Sequence, residues 1–156
     1  MTDFDYSLPV TLLEALESTA KTLGIFGRVY PSEPRTAPDS KGLSCAVWFE
    51  RMDPLKGEGG LNKTTVRIEY TARVYKGVLA EPGNVEAIAL RAAGKVMKAL
   101  SLDFTLGGTI RKVDLLGAFG AGLGGIAGYL TQDKTLFRVI DITVPLIVDD
   151  VWSQVP

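Results

Sequence analysis

The sequence predicts an α+β fold: a single mixed or antiparallel β-sheet, with two helices packed on one face and long protruding strands and loops. Three observations predict it. Thr64–Lys76 alternates strictly, with Val66, Ile68, Tyr70, Ala72 and Val74 on one face and Arg67, Glu69, Thr71, Arg73 and Tyr75 on the other. Period-two alternation over five apolar positions marks a strand with one buried and one wet face. Directly after it, Val85, Ile88, Ala89, Ala92, Val96 and Leu100 recur at three- and four-residue steps, the mark of an amphipathic helix. The order helix, strand, long strand, helix, strand, long strand, without a repeat of fixed period, then favours one sheet backed by helices.

The elements follow in order. Ser7–Leu23 reads as the first helix, with Ser7 as cap, Pro9 in the first turn, a stripe of Leu12, Leu13, Leu16, Ala20 and Leu23, and Gly24 as the stop. Ile25–Pro31 is a short turn or strand. Ser32–Gly42, rich in Pro, Ser, Asp and Lys, reads as an exposed, flexible loop. Leu43–Met52 is a short strand of β-formers, and Asp53–Lys63, with three glycines, a mobile hairpin tip. The Thr64–Lys76 strand would run roughly 43 Å at ~3.3 Å per residue, so it bends or overhangs its domain. Pro82 and Gly83 turn the chain, Asn84 is placed to cap the second helix, and its small Ala89, Ala92 and Ala93 let it lie close on a sheet. Arg91, Lys95 and Lys98 fall on its wet side. Thr109–Ala118 reads as a third strand, Gly117–Gly125 as a flexible glycine-rich tip within a flexible region over residues 117–134, and Thr135–Val148 as a second long strand carrying Ile140, Ile142, Val144 and Leu146. Pro145 has no N–H for the ladder and argues for a sheet edge or a strand end. The whole of residues 1–156 reads as one domain, long enough to bury its own core.

Bulk composition narrows the function classes. A formal net charge of −1 gives no pull toward nucleic acid or an anionic membrane. The start Met1-Thr2-Asp3-Phe4-Asp5 is acidic and lacks the basic and apolar regions of a secretory signal, and no apolar run reaches ~18 residues, so a cytoplasmic origin and no membrane partner are expected. The one cysteine, Cys45, sits among apolar residues and reads as a small buried hydrophobe.

The sequence contains no histidine, which removes the usual neutral-pH general base and the commonest metal ligand. Carboxylates remain for acid–base work, but Asp149-Asp150 are adjacent on a strand and point to opposite faces, while Asp114 and Asp141 stand alone. Gly120-Ala121-Gly122-Leu123-Gly124-Gly125 spells G-x-G-x-x-G after a strand, yet a phosphate cradle needs a helix starting within those glycines, and Ile126–Leu130 is too short to supply one. No catalytic, cofactor-binding or metal-binding residue is therefore assigned. The same segment is apolar through Leu115, Leu116, Phe119, Leu123, Ile126, Tyr129 and Leu130, so it is read either as a surface that orders against a partner or as part of the chain's own core. Trp48 and Trp152 read as core. Tyr75, beside Arg73 on the wet face, is an interface candidate because Tyr and Arg are enriched at such contacts.

In sequence order these pieces resemble the tail terminator, or tail-completion, proteins of long-tailed bacteriophages. The resemblance rests on a leading helix running into Gly27-Arg28-Val29-Tyr30-Pro31 with Pro34 beyond, a strand at Ala46–Arg51, and the alternating strand Val66–Tyr75. It continues in the alanine-rich helix Val85–Leu100 ending Lys98-Ala99-Leu100, and in a strand at Leu136–Val144 after a variable loop. The glycine-rich insertion Gly117–Gly125 and the tip Asp53–Lys63 depart from the pattern. The resemblance implies a non-enzymatic virion protein without cofactor: a homo-hexameric ring, assembled in the host bacterial cytoplasm, that caps the finished tail tube and offers a head–tail joining surface to the connector. Its implied partners are itself, the tail tube protein and the head–tail connector protein, with DNA passing through the lumen but not specifically bound. The subunit or tube interface is expected at Arg67, Glu69, Arg73, Tyr75, Phe119, Gly122, Leu123, Gly124, Ile126 and Tyr129. Two other readings stand beside it: a neck or head–tail connector subunit, and a small ligand-binding or enzymatic α+β domain with the glycine-rich loop at its pocket.

Overall fold

The structure, a computed structural model, describes residues 7–55 and 63–153. In chain order it has α1 (Leu8–Thr22), β1 (Arg28–Tyr30), β2 (Leu43–Pro54), β3 (Lys63–Gly77), α2 (Val85–Leu102), β4 (Lys112–Val113), β5 (Gly124–Gln132) and β6 (Thr135–Ser153). The fold is α+β with one mixed six-stranded sheet in the order β1-β2-β3-β6-β4, and β5 also pairs with β6. Only β1–β2 is parallel; every other pair is antiparallel.

Both helices lie on one face, which we call inner. The alternation in β3 sets this face, since Val66, Ile68, Tyr70, Ala72 and Val74 are all buried in the main core. Ile140, Ile142, Val144 and Leu146 of β6 join them, directly opposite in the register. From α1 the core takes Leu12, Leu16 and Ala20, and from α2 Ala89, Ala92, Ala93, Val96 and Leu100. The alanines let the α2 backbone approach the sheet, as the sequence implies. Gly24, at φ +68°, ends the α1 region in the left-handed conformation that suits glycine. Neither expected cap forms through its side chain. Ser7 and Asn84 both have helix-like ψ, −16° and −3°, whereas a capping side chain needs an extended residue. Their carbonyls instead accept the Thr11 and Ile88 N–H groups.

Four further expectations about the strands and loops are corrected. Thr109–Ala118 is not a ten-residue strand. Only Lys112–Val113 pair, because the chain leaves β6 after Asp114, whose N–H makes the last bond to it. Gly124–Gln132 is not a flexible tip but a nine-residue strand paired along its whole length with β6. Its hairpin turn is Asp133-Lys134, both at positive φ (50° and 65°), a primed-turn geometry that a sequence usually announces with glycine. The Ser32–Gly42 region is exposed in part but not loose: Ala37 N–H donates to Asp133 Oδ2 (2.7 Å), Gln132 Nε2 to the Pro34 carbonyl (2.9 Å) and Lys76 Nζ to the Lys41 carbonyl (2.6 Å). Pro145 lies inside β6, opposite Glu69, neither at an edge strand nor at a strand end. Its carbonyl accepts the Asp114 N–H, so its nitrogen faces the side where β5 has ended and β4 begins, and no ladder bond is lost. The expected hairpin tip falls largely on residues 56–62, outside the described residues.

Candidate interaction surface

The outer face of the sheet, away from the helices, is covered at one end by residues 31–42 and at the other by residues 115–123. Between them it carries polar and charged side chains of β2, β3 and β6. At its centre the Arg73 guanidinium grips Asp141 with two bonds, Nε to Oδ1 at 2.6 Å and Nη2 to Oδ2 at 2.9 Å. It reaches Glu33 at 3.4 Å and lies over the rings of Trp48 and Tyr75, 5.1 and 5.8 Å from their centroids. The bonds to Asp141 push the Arg73 pKa further up, so the charge is permanent. Tyr75 is not a surface residue. At 1% exposure it packs with Ala46, Phe137 and Val139 in a second small core under Ala37, and this burial raises the pKa of its phenol, partly offset by Arg73. Alternation placed Tyr75 on the wet face. The loop that covers that end of the sheet made it core.

Arg67 is likewise corrected from wet face to interior, with 6% exposure. Nη1 donates to Glu69 Oε2 (2.8 Å) and Nη2 to the Ala121 carbonyl (2.7 Å), while Nε is buried without a partner among the described residues. Gly120, at φ +143°, lies against this guanidinium, where an added Cβ would come within 3.1 Å of Nε. A second anchor is Asp114, 1% exposed, whose carboxylate accepts the Ala118 and Phe119 N–H groups at 2.8 and 2.9 Å. Its own carbonyl accepts the Leu123 N–H, so the excursion from Leu115 to Gly122 leaves from and returns to one residue. The two limbs cross at Gly117 and Gly122: a Cβ on Gly122 would stand 2.6 Å from the Gly117 nitrogen. These glycines serve a backbone crossing, and a strand follows them rather than a helix, so the segment has no phosphate cradle.

The moored loop is bare on its outer side. Leu116 is 98% exposed and, with Phe104, Lys112, Val113, Leu115 and Ala118, borders an open apolar hollow of about 350 Å³. Phe119 is half-buried under Lys112, whose Nζ lies 5.3 Å from the ring centroid, and Leu123 packs against the main core. Of the residues expected at an interface, Ile126 (78% exposed) and Tyr129 (64%) are open on β5, where Tyr129 stacks with Arg138 at 4.4 Å. Phe119, Gly122, Leu123 and Gly124 sit at the root of the surface with Arg67 and Glu69 bonded beneath it, while Arg73 lies apart from the loop, on Asp141 at the centre of the outer face. Phe104 is a further residue of this surface that the sequence does not single out, because the connector Ser101–Gly108 also carries Leu102 and Leu106 and no periodicity separates the exposed apolar residues from the buried one.

Of the carboxylates considered for acid–base work, Asp150 is exposed at φ +56° and the other three are bonded into the fold. Asp114 holds backbone amides, and Asp141 holds Arg73. Asp149 accepts from Arg111 Nε (2.9 Å) and Thr65 Oγ1 (2.7 Å), and the bonds to Arg111 keep its pKa below the usual carboxylate range. Among the described residues no three His, Cys, Asp or Glu side chains are grouped to hold a metal ion, and no helix is long and apolar enough to cross a membrane. Neither a comparison with protein-family models nor one with curated proteins finds a match to this chain.

Proposed function

We propose that this chain is the subunit of a phage tail-terminator ring, a virion assembly protein that closes the finished tail tube and presents a joining surface to the head connector. The observation that carries the reading is the loop Leu115–Leu123, fixed from below by Asp114 and Arg67 and bare above at Leu116. Leaving Leu116 in water gains the free chain nothing, but because Asp114 and Arg67 already order the loop, a docking partner does not have to meet that ordering cost. The engagement of Asp114, Asp141 and Asp149 in structural bonds favours a structural protein over an acid–base enzyme.

The test is association. The purified chain should form a closed ring of roughly six subunits by light scattering and negative-stain imaging, the closure expected of head-to-tail contacts. Added to unfinished tail tubes, it should cap them. Leu116→Asp should keep the fold, seen by circular dichroism, and lose tube attachment. A protein that neither forms a ring nor binds tail tubes rejects the reading.

A further inference from the structure

The side of β5 away from β6 has no strand partner among the described residues, and its main-chain groups can be assigned. A strand residue directs its N–H and its C=O to the same neighbour. Pro145 and Ile147 of β6 aim their carbonyls at Asp114 and Arg111, on the β4–β5 side, while Leu136 aims its carbonyl at Val78 on the β3 side. Odd-numbered residues of β6 therefore face β5. The register pairs them with even-numbered residues of β5: Gly124 with Thr143, Ile126 with Asp141, Gly128 with Val139. The odd residues Gly125, Ala127, Tyr129 and Thr131 thus turn four N–H and four C=O groups outward.

This edge carries none of the usual guards. Gly124–Gln132 contains no charged residue and no proline, and its pairing shows no bulge. It also matches itself. In an antiparallel pairing centred on Gly128, Ala127 meets Tyr129 of a second copy and Gly125 meets Thr131. All eight outward groups are then bonded. Shifting the centre by one residue to Ala127 or Tyr129 leaves Thr131 or Gly125 without a mate inside the strand. In the Gly128 register Ile126 meets Leu130 on the outer face, an apolar cross-strand pair formed twice. Glycine occupies the axis, where the two backbones come closest.

We propose that two copies of this chain pair through β5, antiparallel about a two-fold axis at Gly128, joining their sheets into one. The contact is isologous and closes at two copies, so it is separate from the head-to-tail contacts of a ring and does not rest on that reading.

Light scattering over a concentration series should give pairs at twice the 16.8 kDa chain mass, or assemblies built from them. Ala127→Pro removes an outward N–H without touching the β5–β6 ladder, and should release the pairs. Gly128→Cys is the second variant. A Cβ there meets only Val139 Cγ2, at 3.9 Å. At a non-hydrogen-bonded position the two Cα atoms would stand ~4.5 Å apart, within disulfide range. Mild oxidation should therefore link Gly128→Cys chains into dimers much faster than Ile126→Cys chains, whose mate is Leu130. The native Cys45 is buried, with its thiol pushed up to about 12, and does not compete. A wild type that stays monomeric, a mass unchanged by Ala127→Pro, or equal crosslinking of the two cysteine variants would overturn the proposal. A ring that survives Ala127→Pro while Gly128→Cys fails to crosslink overturns the pairing and leaves the ring standing.

Discussion

The two ends of the sheet treat their exposed backbone in opposite ways. At one end β1 covers only Ser44–Ala46 of β2. The remainder of that edge is interrupted by a bulge between Phe49 and Arg51, studded with Glu50, Arg51 and Asp53, and closed by Pro54. Each of these features discourages another strand from adding. At the other end β5 offers nine residues without charge, proline or bulge, beside a loop that the protein anchors firmly while leaving Leu116 in water. Guarding one edge and leaving the other open is not what stability alone would select. On the proposal made above, the β5 end is the side that a second copy covers.

The most damaging change to that end should be Asp114→Ala. It strands two backbone amides beside a buried site and frees the loop, at a cost of about 3 kcal/mol in urea unfolding, since bonds to a charged group contribute ~1.5–3 kcal/mol each. On the proposed function, loss of tube binding should accompany it. An unchanged midpoint would mean that the loop is not moored there.

Gly122→Ala comes next. Its Cβ would meet backbone at 2.6 Å, an overpacking that costs about 2 kcal/mol, whereas Gly124→Ala finds nothing nearer than 3.9 Å and should shift stability by less than ~0.5 kcal/mol. Equal effects at the two positions would show that the limbs do not cross as described.

Acid should separate the two ends as well. Asp149 and Asp53 both titrate below the usual carboxylate range, each chiefly through hydrogen bonds to an arginine, Arg111 and Arg51 respectively. With the folded value depressed, the unfolded chain binds more protons in this window. Stability is thus full above the ordinary carboxylate pKa of ~4 and falls as pH drops through the folded value. Arg111→Gln should flatten this acid limb measurably. Arg51→Gln should barely alter it, because Arg51–Asp53 is open to solvent and screened.

The smallest effect on stability is expected from Ile126→Lys, within ~0.5 kcal/mol because the side chain is already in water. It should nonetheless weaken self-association, while Glu50→Lys on the guarded edge leaves association unchanged. The reverse pattern would invert the assignment of the two edges.

The sequence by itself determined the α+β class, the inner faces of β3 and β6, the apolar stripes of both helices and the stop at Gly24. In each case the information is local: a period of two or of three to four residues, or a residue with unusual backbone freedom. Tertiary structure decided the rest. Alternation assigned Arg67 and Tyr75 to a wet face because it registers only which side of the sheet a residue is on, not which distant segment returns to cover that side. Residues 31–42 bury Tyr75, and Ala121 caps Arg67. The glycine-rich stretch read as a flexible tip because glycine permits either a loop or a strand. Its second half became β5 through a hairpin ladder with β6, and its first half is held by Asp114, only four and five residues before the amides it binds; both partners are near in sequence, but glycine-rich residue types do not announce either bond. The open edge that singles out this end of the molecule follows from the same cause, since a strand is an edge only once its neighbours are known.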